Sequence, residues 1–201
     1  MVQVEIINIG DELLIGQVVN TNASQMAQKL NSYGFNVLAT SVIGDNKNQI
    51  RESLDIALKR ADCVLITGGL GPTKDDITKK TLSEYFNSDL IINKEVEEHV
   101  KSYFTRKQLP FTETNRAQAL VPEKSKVIFN PVGTAPGMCF EKNGKLIVSM
   151  PGVPFEMRLM MDRVIEIMQT FFNQHTKILH KTLLYANIGE SFLSDMICDF
   201  E

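Results

Sequence analysis

The stretch Ala61–Leu82 constrains the fold of this 201-residue chain more than any other. Its first part, Ala61–Thr67, is a continuous apolar run without alternation. Such a run predicts a strand buried on both faces, as in a parallel sheet covered by helices. Gly68, Gly69 and Gly71 follow, and they let the backbone turn sharply and approach a ligand closely. Backbone N–H groups at such a turn form an anion site at the carboxyl end of the strand.

Two adjacent aspartates, Asp75 and Asp76, come shortly after this glycine turn, and Pro72 between them and the glycines predicts the first turn of a helix. Two carboxylates beside a bound phosphate repel it unless a hard divalent cation with oxygen ligands lies between them. The alternative is that both aspartates only favour the helix N-terminus, an effect of about 0.3–1 kcal/mol each. The residues alone leave both interpretations open.

The composition excludes several classes of function. With 43% hydrophobic residues the chain can bury a full domain core, and its net charge of −3 gives no basic field for nucleic acid or an anionic membrane. The first residues lack a basic region, and no run of about eighteen apolar residues occurs, so we expect a soluble, cytoplasmic protein. Cys63, Cys139 and Cys198 lie far apart in apolar contexts, which favours reduced core thiols over disulfides or a metal cluster.

Strands and helices alternate along the first half of the chain. Val2–Ile9 and Phe35–Ile43 are predicted strands that precede the strand Ala61–Thr67. Helices are predicted from Asn20 to Gly34 and from Gln49 to Arg60, each with one apolar side. Because these crossovers are short, the strands are expected to pair in parallel, with helices on both faces.

The second half begins with a predicted insertion that carries a helix over Glu95–Gln108. Three short strands are then expected, Lys126–Phe129, Gly137–Phe140 and Lys145–Met150, and an Asn-Gly pair between the last two predicts a β-hairpin. The fold class is therefore a three-layer α/β/α domain with a mostly parallel sheet and a short hairpin region.

A second glycine–proline turn, Met150–Pro154, again joins an apolar strand to a helix that runs to about Phe172. Its N-terminus is expected to point amides at the same edge of the sheet as the first turn. Beyond it, Ile178–Ile188 predicts a further strand and Glu190–Phe200 an amphipathic helix. We therefore divide the chain into a domain over residues 1–172 and a segment over 173–201 that starts a linker or second domain, or forms a terminal arm.

Five motifs together resemble the N-terminal, molybdopterin-binding-like domain of the CinA (competence-damage inducible) proteins, relatives of MoaB, MogA and MoeA. The motifs are Gly10–Leu14 with Asn20–Asn22, Thr67–Thr73 with Asp75–Thr78, Asn115–Ala119, Gly133–Gly137 and Met150–Met157. The resemblance implies a three-layer fold, a homo-oligomer and metal-dependent hydrolysis of ADP-ribose to AMP and ribose 5-phosphate. It also implies that a C-terminal deamidase domain is missing from this chain.

The candidate site follows from these motifs. Asp76, Asp45 and Glu156 are candidate catalytic residues, with Asp45 or Glu156 as a general base, although a turn or cap role is an open alternative for Asp45. Asp75 and Asp76 are candidate ligands of a divalent metal ion, Mg²⁺, Mn²⁺ or Co²⁺. The candidate ligand-binding residues are Gly10, Asp11, Glu12, Asn22, Gly68, Gly69, Gly71, Pro72, Thr73, Thr134, Pro151 and Gly152.

Three functions compete at this stage. The first is a metal-dependent ADP-ribose pyrophosphatase, in which the two glycine turns hold the diphosphate and a metal ion activates water. The second is molybdopterin binding or adenylyl transfer in molybdenum cofactor biosynthesis. The third is a nucleotide-binding module without catalysis that belongs to a larger CinA-type protein.

Overall fold

A computed structural model of the chain describes residues 1–73, 76–181, 184 and 186–198. Its strands are β1 (Gln3–Ile9), β2 (Asn36–Ile43), β3 (Cys63–Thr67), β4 (Leu90–Ile92), β5 (Leu120–Pro122), β6 (Lys126–Ile128), β7 (Gly137–Lys142) and β8 (Lys145–Met150). Its helices are α1 (Asp11–Leu14), α2 (Thr21–Ser32), α3 (Lys47–Arg60), α4 (Thr78–Tyr85), α5 (Lys94–Arg106), α6 (Glu113–Arg116), α7 (Pro154–Phe172) and α8 (Glu190–Ile197).

A six-stranded sheet in the order β2-β1-β3-β8-β7-β6 forms the centre of the fold. Strands β2, β1, β3 and β8 are parallel, and β7 pairs antiparallel with both β8 and β6. The predicted hairpin joins β7 to β8 through Asn143 and Gly144, which both have positive φ angles, as a two-residue hairpin turn requires. The predicted fold class, a mostly parallel sheet between helices, is confirmed.

Strand β3 shows why its sequence is apolar throughout. Successive residues of a strand point to opposite faces, and both faces of this one are covered. Cys63 and Leu65 pack with α2 and α7, whereas Val64 and Ile66 pack with α3 and α4. All four side chains are fully buried, so the sheet has a hydrophobic core on each side.

Local signals set the ends of the helices that pack on the sheet. The Oδ1 of Asn20 accepts a hydrogen bond from the N–H of Ala23 at 3.1 Å and so caps α2, and Gly34 follows that helix with a φ of +75°. Pro154 occupies the first turn of α7, as the glycine–proline turn predicts. Met157, Met160, Met161 and Met168 of α7 are buried, so they are core residues.

The predicted helix start at Pro72 is wrong. Helix α4 begins at Thr78, and the described residues between Pro72 and Thr78 are not helical. An Asp76 carboxylate oxygen accepts hydrogen bonds from the N–H of Thr73 at 2.9 Å and from its hydroxyl at 2.5 Å. This local bonding competes with helical backbone bonding, as is common for aspartate and threonine.

The insertion between α4 and β6 contains a small antiparallel sheet, β4 with β5, that the sequence does not predict. A short 3-10 helix, Ala117–Ala119, lies beside it. Val96 and Val100 of α5 pack with Ala119 in a separate small core. The insertion thus has a small core of its own, and Val127 of β6 packs against it.

The C-terminal part differs from its prediction. The described residues of 178–188 form no strand, and Leu179 and Leu184 are exposed. Helix α8 is present over Glu190–Ile197. Cys63 and Cys139 are buried as predicted, but Cys198 is exposed, so its prediction as a core thiol is wrong. Within the described residues, no helix has the length and apolarity needed to cross a membrane. The division at residue 172 stays a prediction.

Candidate functional site

A cavity with a volume of about 590 Å³ opens at the carboxyl ends of β1, β3 and β8. In an open α/β sheet this edge is the usual place for a ligand. The cavity is lined by thirteen of the predicted site residues: Gly10, Glu12, Asn22, Asp45, Gly68, Gly69, Gly71, Pro72, Asp76, Thr134, Pro151, Gly152 and Glu156. Asp11 and Thr73 do not line it but bond to residues that do, and Asp75 lies outside the described residues.

The two glycine turns meet at the floor of this cavity. Gly68 and Gly69 have φ angles of +107° and +65°, a conformation that favours glycine. The N–H of Gly68 donates to the carbonyl oxygen of Met150 at 3.1 Å, which ties the first turn to the end of β8. A Cβ atom added to Gly152 would lie 3.2 Å from the Cα of Gly68, so the two turns approach closely enough that a side chain at residue 152 would be crowded.

Asn22, in the first turn of α2, forms a hydrogen bond with the second glycine turn. Its side-chain NH2 donates a hydrogen bond to the carbonyl oxygen of Gly152 at 2.7 Å. Because that partner is an acceptor, the orientation of the Asn22 amide is fixed. The Oδ1 atom is therefore turned away from Gly152, and it is buried without a hydrogen-bond partner.

Asp45 and Asp11 form a reciprocal pair at one side of the cavity. The N–H of Asp11 donates to a carboxylate oxygen of Asp45 at 3.1 Å, and the N–H of Asp45 donates to Asp11 at 3.2 Å. Burial raises the pKa of Asp45, whereas the N–H of Asp11 lowers it. The negative charges of Asp11, Glu12 and Asp76 raise it further. This side of the cavity therefore carries excess negative charge.

Asp76 lies at the mouth of the first glycine turn, near a partly buried cation. Burial lowers the pKa of Lys79 to about 8, although the negative charge of Asp76 acts in the opposite direction. The Lys79 ammonium donates to the backbone carbonyl oxygen of Gln118 at 3.2 Å. An anion bound in the cavity would stabilise the charged form of this lysine.

Glu156 is held by a residue that the sequence does not single out. The side-chain NH2 of Asn130 donates to a Glu156 carboxylate oxygen at 2.7 Å and to the carbonyl oxygen of Ala135 at 3.2 Å. Its Oδ1 accepts from the N–H groups of Val132 and Gly133 at 3.2 and 2.9 Å. Asn130 is only 1% exposed. It thus fixes both the loop that carries Thr134 and the carboxylate of Glu156.

Gln118 is a second residue that is missing from the predicted set. It lines the cavity from the insertion and is 3% exposed. The only sequence signal was its place inside the motif Asn115–Ala119, and a polar residue in a short irregular segment carries no pattern of its own. The apolar Val18, Val19 and Val153 also line the cavity, at its exposed rim.

The predicted metal ion fits the described residues only in part. Glu12, Asp45, Asp76 and Glu156 line one cavity, and their oxygens suit a hard cation. However, within the described ranges no three or more histidine, cysteine, aspartate or glutamate residues are grouped so that they could hold a metal ion. These residues alone therefore do not form a complete metal centre.

An open, mostly parallel sheet with two glycine turns around one cavity defines an α/β domain of the MoaB and MogA type. The chain resembles the molybdopterin biosynthesis enzyme MoaB from Thermus thermophilus with a TM-score of 0.58 at 20% identity over 85% of this chain and 93% of that one. The Mog protein from Mycobacterium ulcerans gives a TM-score of 0.58 at 19% identity, over 88% and 100% of the two chains. At these identities the likeness shows the fold alone.

The model of the family described as a probable molybdopterin binding domain matches residues 5–170, and the chain belongs to this family, among its CinA-like members. The structure of the CinA protein from Thermoplasma acidophilum is 33% identical with a TM-score of 0.72, over 84% of this chain and 96% of that one. A CinA-like protein of Flavobacterium psychrophilum is 46% identical over 98% of this chain and 47% of its own length. The chain thus spans about half the length of the curated relatives it matches.

The first functional prediction, an ADP-ribose pyrophosphatase that hydrolyses its substrate with a metal ion, is wrong. The matched family is described as a probable molybdopterin binding domain, and the curated relatives are CinA-like proteins. These findings favour the molybdopterin alternative instead. The roles assigned to the individual site residues stay predictions.

Proposed function

We propose that this chain binds a phosphorylated pterin of the molybdopterin class in the cavity between the two glycine turns. The observation that carries the proposal is the convergence of Gly68–Gly71 and Pro151–Gly152 on one space of about 590 Å³ at the carboxyl edge of the sheet. This volume lies within the usual range of about 300–1,000 Å³ for small-molecule sites. The match to the molybdopterin-binding family supports the same ligand class.

The chemistry of the cavity walls also suits such a ligand. At one end, the backbone N–H groups of the first glycine turn favour a phosphate, and so does the ammonium of Lys79, which donates to the carbonyl oxygen of the cavity-lining Gln118. The carboxylate residues Glu12, Asp45 and Glu156 line other parts of the wall, and carboxylates accept hydrogen bonds from ring N–H and NH2 groups. A pterin phosphate carries both kinds of group.

The proposal is tested by titrating the purified chain with 6-hydroxymethylpterin phosphate and following the pterin fluorescence, with anaerobically prepared molybdopterin as a second ligand. We expect saturable binding to both. Val153→Trp fills the rim of the cavity and is expected to weaken binding about tenfold or more, a loss of at least about 1.4 kcal/mol. Leu38→Trp is the matched control, because Leu38 is similarly exposed but does not line the cavity.

Two results would contradict the proposal. The first is no binding of either pterin by the folded wild-type chain. The second is equal affinity in Val153→Trp and wild type, which would place the ligand elsewhere. Titrations with AMP, ADP and GDP run alongside, and clearly tighter binding of these nucleotides than of the pterins would favour the nucleotide-binding module.

Two further properties of the site are proposals. The first is a divalent ion, Mg²⁺, Mn²⁺ or Co²⁺, bound between the ligand phosphate and the cavity carboxylates. The excess negative charge around Asp45 favours such an ion, and the pterin titration with and without EDTA tests it. The second is a homo-oligomer, favoured by exposed apolar side chains such as Ile15 and Phe155 and tested by light scattering.

A further inference from the structure

The carboxylate of Glu156 is held at the wall of the cavity, and one of its oxygens is left unpaired. The residue lines the cavity from the first turn of α7 and is half-buried. Its Oε2 atom accepts the bond of 2.7 Å from the side-chain NH2 of Asn130. Its Oε1 atom has no hydrogen-bond partner among the described residues, and unlike Oδ1 of Asn22 it is not enclosed by the protein. A ligand in the cavity can therefore donate to Glu156.

Two neighbours fix the orientation of this carboxylate. Asn130 is 1% exposed, and its Oδ1 accepts from the N–H groups of Val132 and Gly133, so its NH2 group must face Glu156. On the second side the carboxylate lies against Gly133, where an added Cβ atom would come within 2.6 Å of Oε1. Because a carboxylate has about four acceptor sites, both oxygens of Glu156 can still accept a hydrogen bond from a ligand.

Glu156 is separated from the other carboxylates of the cavity by the glycine turns. In the strand order β2-β1-β3-β8-β7-β6, Asp45 and Glu12 follow β2 and β1, and the two glycine turns follow β3 and β8. Glu156 is bonded to Asn130, in the loop between β6 and β7. A phosphate at the glycine turns would thus have the acidic side around Asp45, which favours a cation, on one flank. We expect the ring of the ligand on the other flank, at Glu156.

We propose that Glu156 is a specificity-determining residue whose carboxylate accepts two hydrogen bonds from the 2-amino-4-oxo edge of a bound pterin, one from the ring N3–H and one from the 2-amino group. Two parallel donors on a planar group match the two oxygens of a carboxylate, as those of an arginine guanidinium do. This inference rests on the proposed pterin binding. It adds that the site rejects the corresponding 2,4-dioxo ring, lumazine, because a lumazine oxygen would face the carboxylate in place of the amino group.

The test compares the affinities of wild type for 6-hydroxymethylpterin phosphate and the matching lumazine phosphate by fluorescence titration. We expect a preference for the pterin of at least about tenfold, which converts to about 1.4 kcal/mol. Glu156→Gln keeps an acceptor for Asn130 but turns an NH2 group toward the ring, so the preference should disappear or reverse. Glu166→Gln is the matched control and should keep the preference, because Glu166 belongs to the same helix but does not line the cavity.

Gly133→Ala tests the position of the carboxylate while its charge stays unchanged. The added Cβ would crowd Oε1 of Glu156, so we expect the preference for the pterin over the lumazine to fall well below that of wild type. Circular dichroism confirms that each variant is folded before its affinities are compared. A folded Gly133→Ala with the full wild-type preference would contradict a role for a precisely held carboxylate.

The outcomes separate the two proposals. If wild type binds neither ring, the proposed pterin binding fails, and this inference fails with it. If wild type binds the pterin and the lumazine equally, only the role of Glu156 is refuted, and this comparison needs no variant that could misfold. A folded Glu156→Gln that keeps the wild-type preference also refutes that role. Guanine carries the same donor edge as a pterin, so clearly tighter binding of GDP than of the pterin phosphate would overturn the assignment of the ring to a pterin.

Discussion

Replacement of Asn130 by alanine probes the support of the site without touching the cavity floor. Four hydrogen bonds of the Asn130 side chain connect the loop before β7 with the first turn of α7. Because the residue is 1% exposed, the groups that it leaves behind have limited access to water. We expect Asn130→Ala to destabilise the fold and to weaken ligand binding through the loss of a fixed Glu156.

The magnitude follows from the partners that lose their bonds. The carbonyl oxygen of Ala135 and the N–H groups of Val132 and Gly133 are neutral backbone groups, each costing about 1 kcal/mol when its hydrogen bond is lost. The loss is therefore at least about 3 kcal/mol, and more if Glu156 also finds no donor. For a domain of about 200 residues this corresponds to a Tm lower by about 6–12 °C.

Thermal unfolding followed by circular dichroism measures this change, and the pterin titration measures affinity on the same samples. Asn36→Ala is the control, since the Asn36 side-chain NH2 makes a single bond, to Gln3 at 2.6 Å, at the start of β2. Its Tm should fall by only a few degrees, and its affinity should not change. The reasoning is refuted if Asn130→Ala loses no more stability than Asn36→Ala and binds the pterin as wild type does.

Three other substitutions test separate features. Gly68→Ala should lower the free energy of unfolding, measured by urea titration, by more than about 2 kcal/mol, because its Cβ would collide with a backbone carbonyl oxygen of β1. Gly144→Ala is the control, since Gly144 also has a positive φ but lies in open space, and it should lose only about 1 kcal/mol. Between about pH 8 and pH 10.5, Lys79 has lost its proton in the folded chain but keeps it in the unfolded chain, so the unfolded state binds more protons. The free energy of unfolding of wild type should therefore rise with pH relative to that of Lys79→Met. A difference between the two proteins that does not change with pH contradicts this. Arg60→Met leaves the buried carboxylate of Glu5 without its two bonds of 2.8 Å, so the Tm should fall while pterin affinity stays the same, since neither residue lines the cavity.

The main features of the fold could be predicted because their causes are local. The apolar run of β3 needs helices on both faces, and the asparagine–glycine pair needs a hairpin, whatever the rest of the chain does. The strands β4 and β5 could not be predicted, because each has three residues and Leu90 pairs with Pro122 far along the chain. The apolar pattern of residues 178–188 likewise does not decide burial, since Leu179 is 86% exposed.

The same distinction applies to the candidate site. Glycine turns at strand ends can be recognised from sequence, because few other residues adopt their backbone angles. Gln118 and Asn130 have no such signature, since their importance comes from which groups surround them in the folded chain. A buried side-chain amide indicates a structural or binding role only when its hydrogen-bond partners, or its lack of them, are known. The glycine turns and several wall residues, such as Asn22 and Glu156, were thus predictable, whereas Gln118 and Asn130 were not.

The carboxylates on which the prediction of hydrolysis rested accept hydrogen bonds from other parts of the protein. That prediction assigned free carboxylates to metal binding and water activation, yet each described carboxylate in question is already bonded within the protein. Asp76 holds Thr73, Asp45 holds the N–H of Asp11, and Glu156 is held by Asn130. Bonded carboxylates of this kind fix the loops around a cavity, and a preformed cavity loses little entropy when a ligand enters. Acidic side chains that are bonded in this way hold the loops at the edge of the sheet, which fits the proposed binding of a phosphorylated pterin in a rigid cavity.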